Sequence, residues 1–384
     1  MRSVELFSGC GGLAMGLSRA GFAHDLMIEW NASAVATIEH NRARGIEHVT
    51  HWPIIRRDVR DVDFSSHLGT LDLIAGGPPC QPFSLGGKAR GHMDERDMWP
   101  SAIRAVKEAR PSAFLFENVQ GLARPAFAEY LEWITRSLEH VSMTEIAEPY
   151  AVMLERLRRA SGPKDYEVVV LKVNAADYGA PQIRHRVLVC GFRSDLGIAS
   201  EPPRPTHSRE RLLWDQWVSG DYWTRHRLPQ PADELIPRRD IRVVEVLRRG
   251  SKKPKTLPWV TLRDAVSDLG APSGANNHVL QTGARVYPGH TGSVLDQPAK
   301  ALKAGVHGVP GGENMMVLDD GSVRYLTVRE AARLQGLPDD YEFPGSWSES
   351  MRQLGNAVPA QLAEVIGRWL ANSLARCGEV RAAA

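Results

Sequence analysis

The sequence predicts an α/β fold: a mostly parallel sheet with helices on both faces, joined to a smaller region of irregular texture. Three observations carry this expectation. Short apolar runs alternate with stretches of helical periodicity, the order that builds parallel βαβ units. The runs end in glycine or in a polar side chain at one common edge, where open α/β sheets hold their ligands. Beyond Phe192 the alternation gives way to a stretch rich in proline, tryptophan and basic residues.

Val4-Glu-Leu-Phe7 is the first strand, and it runs into Ser8-Gly-Cys-Gly-Gly12 and an apolar-periodic helix over residues 13–20, stopped by Gly21. Strand, glycine turn, helix brings backbone amides close to a ligand, although such a turn also serves plain tight packing. The second strand, Asp25-Leu-Met-Ile-Glu-Trp30, places Glu29 about 20 residues past the glycines, where βαβ folds set the carboxylate that bonds a ribose hydroxyl. Asn31 caps a second helix to about Asn41, and a third strand ends at Asp58, with Val59 beside it.

The fourth strand opens Leu71-Asp-Leu-Ile-Ala-Gly-Gly-Pro-Pro-Cys-Gln-Pro-Phe-Ser84. It stops at Gly76 and Gly77, and Cys80 then sits in a loop stiffened by Pro79 and Pro82. A cysteine here is either a small buried hydrophobe or a nucleophile at the ligand edge. Residues 85–96 are glycine-rich and charged and suggest a flap. A helix over 98–109 leads to Ala113-Phe-Leu-Phe-Glu-Asn-Val119, a fifth strand that puts Glu117 at its carboxyl end, either as a helix cap or as a functional acid. Residues 127–159 are helical with a break at Glu148-Pro149, and two β runs, 166–173 and 186–192, follow.

Residues 201–260 show no clear period. They carry Trp214, Trp217, Trp223 and Trp259 with Arg238-Arg239, Arg248-Arg249, Lys252-Lys253 and Lys255, which suits a nucleic-acid face or an ordinary solvated surface. Thr327 and Glu330 form a capping box for a later helix, and Leu354-Gly-Asn-Ala-Val-Pro359 precedes a last helix over 359–375.

Composition sets the outer bounds. The 384 residues, 43% hydrophobic and 24% charged, describe a soluble chain of two domains, with no run of the ~20 apolar residues that cross a bilayer. The first residues lack a signal-peptide build, so a cytoplasmic location is expected. Cys10, Cys80, Cys190 and Cys377 are scattered, which points to reduced thiols and no metal site. The net charge of +2 decides nothing, because for nucleic acid the distribution of charge matters.

Taken together these motifs resemble the DNA (cytosine-5) methyltransferase family of bacterial restriction-modification type. Phe7-Ser-Gly-Cys-Gly-Gly12 resembles its first motif, Gly77-Pro-Pro-Cys-Gln81 its nucleophile loop, and Glu117-Asn-Val119 its Glu-Asn-Val motif. Gln182-Ile-Arg-His-Arg186, the segment 324–336 and Gly355-Asn-Ala-Val358 complete the family's order. The resemblance implies a Rossmann-like S-adenosylmethionine-dependent methyltransferase domain over 1–195, a target-recognition domain over 196–320, and a return to the catalytic domain over 321–384. It also implies S-adenosyl-L-methionine as cofactor, S-adenosyl-L-homocysteine as product, double-stranded DNA as partner, and room for a cognate restriction endonuclease acting separately.

Carried over motif by motif, Cys80 is the nucleophile and Glu117 the acid that activates the ring, with the apolar run before it favouring its protonated form. Arg184 and Arg186 are candidates to favour the thiolate. Phe7, Gly9, Gly11, Gly12, Glu29, Trp30, Asp58, Val59, Gly77, Asn356 and Val358 are expected around the cofactor, and residues 84–99 as a lid. The chemistry asks for these types independently: cytosine C5 becomes nucleophilic only after an anion adds at C6, and the atoms are reached only on a flipped base. Two features depart from the family pattern. Residues 142–165 look like a surface insertion, and Pro298-Ala-Lys-Ala-Leu-Lys303 has Ala301 where relatives more often show threonine. The alternatives are a tRNA cytosine-5 methyltransferase, disfavoured by the large basic region, a catalytically silent DNA-binding relative, and a dinucleotide oxidoreductase, which leaves Cys80 and Glu117 without a role.

Overall fold

The computed structural model describes residues 1–79, 97–250, 252–288, 290–305 and 314–383. Seven strands form the main sheet: β1 (Arg2–Leu6), β2 (Ala23–Glu29), β3 (Ile54–Arg56), β4 (Leu73–Gly76), β5 (Ala113–Val119), β6 (Tyr166–Asn174) and, after the short β7 (Gln182–Ile183), β8 (His185–Arg193). Their order is β3-β2-β1-β4-β5-β8-β6, parallel through β5, with β8 antiparallel to β5 and to β6. The chain leaves β1 toward β2 and β3 on one side and returns to β4 and β5 on the other. The order therefore reverses between β1 and β4, and a crevice opens beyond their carboxyl ends.

Helices α1 (Gly12–Arg19), α2 (Ala32–Ala43), α3 (Trp99–Ala109), α4 (Ala128–Glu139) and α5 (Tyr150–Arg158) connect these strands. Asn31 caps α2 as expected, its side chain accepting from Ala34 N. One sheet face packs Phe114, Phe116, Val187 and Val189 against α3, α4 and α5. The other packs Leu115, Leu188 and Cys190 with Leu13 and Leu17 of α1 and with Leu362, Ile366 and Leu370 of the last helix. Residues 142–165 are not a mere surface insertion. Met153, Leu154 and Leu157 of α5 are buried in the first of these cores, because the helix lays an apolar face on α4.

The texture beyond Phe192 resolves into β9 (His207–Ser208), α6 (Arg209–Trp217), α7 (Asp221–His226), α8 (Ile241–Arg248) and β10 (Leu257–Pro258). This part is more helical than the sequence suggests, and two of its four tryptophans are core rather than surface. Trp217 and Trp223 are 6% exposed and pack with Leu212, Leu213, Tyr222, Val244 and Leu247 in a core of their own. The three helices have nine, six and eight residues, too few turns to display a period of 3.6. The chain continues through α9 (Leu262–Val266), β11 (Ser293–Val294), β12 (Ala299–Lys300), β13 (Met315–Val317), β14 (Val323–Tyr325), α10 (Val328–Leu334), α11 (Trp347–Asn356) and α12 (Ala360–Ala383). Leu262, Val266, Ala299 and Leu302 join Cys10, Met15, Met27 and Ile38 in a fourth core.

The capping box at Thr327 and Glu330 forms as its spacing predicts. The last helix runs further than residue 375. The small helical unit is seated on segment 295–297: Gln216 Nε2 donates to Asp296 O at 2.7 Å, Tyr222 Oη to Asp296 Oδ1 at 2.8 Å, and Arg263 Nε to the same oxygen at 2.6 Å. Among the described residues no helix is long and apolar enough to cross a membrane.

Candidate active site

The crevice between β1 and β4 is a cavity of about 630 Å³. Its lining brings together Phe7, Gly9, Gly12, Glu29, Trp30, Asp58, Val59, Gly77, Glu117, Arg184, Arg186, Asn356 and Val358. Thus most of the residues singled out from the sequence converge, from seven separate segments, on one space. Gly11 stands outside the lining. Its φ of +81° and the Trp52 ring against its α-carbon explain the glycine, since any Cβ there would strike that ring.

The side of the cavity expected to take the cofactor is built around Glu29, a 7% exposed carboxylate at the end of β2. Oε2 accepts from Gly9 N at 2.8 Å and Oε1 from Asn31 N at 2.7 Å, so the acid ties the glycine turn to the start of α2. Tyr341 Oη adds a bond to Cys10 O at 2.8 Å. Asp58 caps the 3-10 turn Val59–Asp61 by accepting from Arg60 N at 2.9 Å, and it takes the Arg60 guanidinium at 2.7 Å as well. Those bonds hold its carboxyl below the usual carboxylate range. Phe7, Trp30 and Val59 supply apolar surface between the two acids. Acceptors at one end, an apolar slot and glycine amides are a donor and acceptor set that fits a nucleoside carrying an amino-acid tail.

On the opposite side, β4 leads to Gly77, Pro78 and Pro79, which line the cavity. Cys80 and the residues 84–96 assigned to a lid lie outside the described residues; Trp99, at the lid's far end, is fully buried in α3. Two neighbours meet the described residues that precede Cys80. Asn118 is 1% exposed, and its Nδ2 donates to Pro78 O at 3.2 Å. Glu117 Oε2 lies 3.6 Å from where a Cβ on Gly77 would stand.

Glu117 is paired in the register with Leu188, and Arg186 with Val119. The two charged residues are diagonal neighbours on one face and form an ion pair, Glu117 Oε1 with Arg186 Nε. The setting of Glu117 is therefore not the wholly apolar one that Phe-Leu-Phe suggests.

Arg184 lines the cavity and is engaged by backbone carbonyls, while Cys80, whose thiolate it is expected to favour, lies outside the described residues. The Arg184 side chain is 1% exposed, with Nη1 donating to Leu302 O at 2.9 Å and Nη2 to Gly355 O at 2.7 Å and Ala357 O at 2.9 Å. Burial, then the neighbouring Arg186, pushes its pKa down, so the charge is held there for its hydrogen bonds. β12 pairs with β7 in the same place, and Gly355 lies so close to Ala304 N that a Cβ has no room. The segment 299–305 is thereby pressed along the rim of the cavity.

Sequence reasoning missed Asn118, Arg60 and Arg352, all of which line the cavity. Arg352 was the most accessible of them, since it lies four residues before Asn356 in α11 and so on the same helix face. The basic pairs resolve unevenly. Arg248 is spent on Asp233 at 2.7 Å and on Trp217 O at 2.8 Å, and Lys253 lies 3.3 Å from Asp221, whereas Lys252 and Lys255 stand exposed.

The family model for C-5 cytosine-specific DNA methylases matches residues 1–372. The chain belongs to this family. It is similar to the Type II methyltransferase M.PspPI of Psychrobacter sp., with 32% identity over 95% of this chain and 77% of that protein. It is equally similar to the Type II methyltransferase M.NgoMIV of Neisseria gonorrhoeae, with 32% identity over 97% of both. Among solved structures, a mutant of Spodoptera frugiperda DNMT2 overlays with a TM-score of 0.54 at 14% identity, covering 96% of this chain and 99% of that one, a likeness of fold. As a C-5 cytosine-specific DNA methylase the chain belongs to a family dependent on S-adenosylmethionine, and the Rossmann-like sheet expected from its motifs is present.

Proposed function

We propose that the protein methylates C5 of a flipped cytosine within a specific duplex sequence, through a covalent bond between Cys80 and C6. The observation that supports this reading best is the placement of the Glu117 carboxyl against Gly77, three residues before Cys80, in the cavity that also contains Glu29 and Asp58. The acid and the residues that lead to Cys80 line the space in which the nucleoside is expected.

In this reading the cytosine turns out of the helix, at a cost of a few kcal/mol repaid by contacts in the pocket. The Cys80 thiolate adds to C6, and the Glu117 carboxyl, oriented by Arg186, engages the N3 and amino edge where charge develops. S-adenosylmethionine, when bound, supplies an electrophilic methyl group. Glu29 and Asp58 would hold its ribose and adenine, with Phe7 and Trp30 on the rings, and Asn356 and Val358 would close the remaining side. Loss of the C5 proton and expulsion of the thiolate restore the aromatic ring. Asn118 keeps the Pro78 carbonyl in place and so positions the loop of Cys80.

The Type II names of the relatives support double-stranded DNA as partner and a separate cognate endonuclease. A duplex carrying 5-fluorocytosine at the target, identified by bisulfite sequencing of DNA from expressing cells, should trap the wild type covalently at Cys80. Cys80→Ser that methylates at near wild-type rate, or methyl transfer to tRNA and not to duplex DNA, would remove the proposal.

A further inference from the structure

We infer that the loop between His278 and Ser293 meets the base edges of the duplex, with Arg285 and Tyr287 at the contact. The inference rests on the DNA reading above and adds which residues carry specificity.

Both roots of the loop are fixed. His278, 3% exposed, bonds Thr327 Oγ1 through Nδ1 at 2.9 Å and Gly270 O through Nε2 at 3.3 Å. Ser293, 2% exposed, accepts from Lys300 N at 3.0 Å. Between these roots the described residues 279–288 expose side chains ill suited to water. Of the fourteen large apolar side chains exposed among the described residues, Val279, Leu280, Val286, Tyr287 and the adjoining Val294 fall in this one stretch. Scattered exposures are ordinary, but a cluster of them marks a surface that meets something.

The chemistry and the position both favour DNA. Arg285 is exposed and makes no hydrogen bond or ion pair with any described residue, unlike Arg248, Arg263 and Arg333. An unengaged guanidinium among apolar groups matches a major-groove edge, which offers paired acceptors on guanine and methyl groups on thymine. Lys300 Nζ donates to Thr291 Oγ1 at 3.0 Å, so the loop leaves from beside β12. β12 pairs with β7, and two residues beyond Lys300 the Leu302 carbonyl takes Arg184, which lines the cavity. The loop root is thus joined through the segment 300–302 to a residue that lines the cavity.

The test uses the full chain with Arg285→Ala, Tyr287→Ala and the double variant, and Val152→Ser as a control for an exposed apolar residue elsewhere. Methylation is measured at the cognate site and at sites with one base changed, together with S-adenosylmethionine affinity by calorimetry. The double variant should reduce the cognate preference roughly ten- to hundred-fold, the worth of one bidentate base contact, with cofactor affinity unchanged. Arg285→Lys and Tyr287→Phe guard against misfolding, and the lysine variant should also lose preference, because the planar fork is gone. An unchanged preference in the double variant overturns the inference and leaves the loop as a protein-docking surface. If the wild type methylates no DNA, the proposed function fails on its own. Equal duplex affinities of wild type and double variant in a direct binding titration would then overturn the loop assignment as well.

Discussion

Replacing Arg184 by methionine separates two jobs that its motif leaves open, charge for the thiolate and cement for the fold. Methionine keeps an apolar stem of similar length and removes every donor. In the folded protein three carbonyls, at Leu302, Gly355 and Ala357, lose their partner. A hydrogen bond from a charged group contributes ~1.5–3 kcal/mol, so three amount to roughly 5–9 kcal/mol gross. Removing the buried guanidinium also removes its desolvation penalty, which offsets several kcal/mol. We expect a net loss of about 3–5 kcal/mol in chemical denaturation, a large part of the roughly 5–15 kcal/mol that stabilises a typical protein. Arg184→Lys retains the charge but presents a single ammonium where a planar fork spans three acceptors, so it should recover less than half of that loss. A methionine variant within about 1 kcal/mol of wild type, with only methyl transfer abolished, would refute the structural role; so would a lysine variant with full activity and a methionine variant of full stability.

Three further outcomes follow from named contacts. Glu29→Ala should weaken S-adenosylmethionine by about 1–3 kcal/mol in calorimetry and lower the melting temperature, because Gly9 N and Asn31 N lose their acceptor; unchanged affinity would discard Glu29 as a cofactor contact. Arg248→Ala should leave duplex affinity and its salt slope unchanged while reducing stability through loss of the Trp217 carbonyl bonds, so a slope flattened by about one unit would show a phosphate contact instead. Burial depresses the His24 pKa to about 4, so the folded protein resists its protonation while the unfolded chain takes a proton near 6.5. Stability is therefore full above pH 6.5 and falls as pH drops toward 4, by up to about 3 kcal/mol. Denaturation at pH 7.5 and pH 5 should show a smaller difference for His24→Gln than for wild type, and equal differences would exclude His24 as the cause.

The parts of the site that were legible in the sequence are those whose partners are close in the chain or set by strand geometry. Ala113–Val119 was readable residue for residue, because Phe114, Leu115 and Phe116 are buried on both faces of the sheet and Glu117 follows at its edge. Glu29 was readable from its spacing to the glycines, which the parallel pairing of β1 with β2 turns into a contact with Gly9. Asp58 was found as an acid at a strand end, although its engagement by Arg60 two residues on was not foreseen.

What stayed hidden depends on partners far away. Arg184 and Arg186 have the same residue type and lie two positions apart, yet one closes onto carbonyls 118 to 173 residues distant and the other onto the acid of β5. Nothing local distinguishes them. The difference arises because α12 returns along α1 and carries the preceding turn, Gly355 to Val358, against Gly12. That return makes the end of the chain a wall of the cavity, and a wall built from the last elements needs an anchor on the sheet. Arg184, fixed at the β7 and β8 corner and reaching both Leu302 and the Gly355 turn, is that anchor. The same bond set holds segment 299–305, and with it the root of the 278–293 loop, at the rim. The cavity wall and the root of the 278–293 loop are thereby joined to one buried guanidinium.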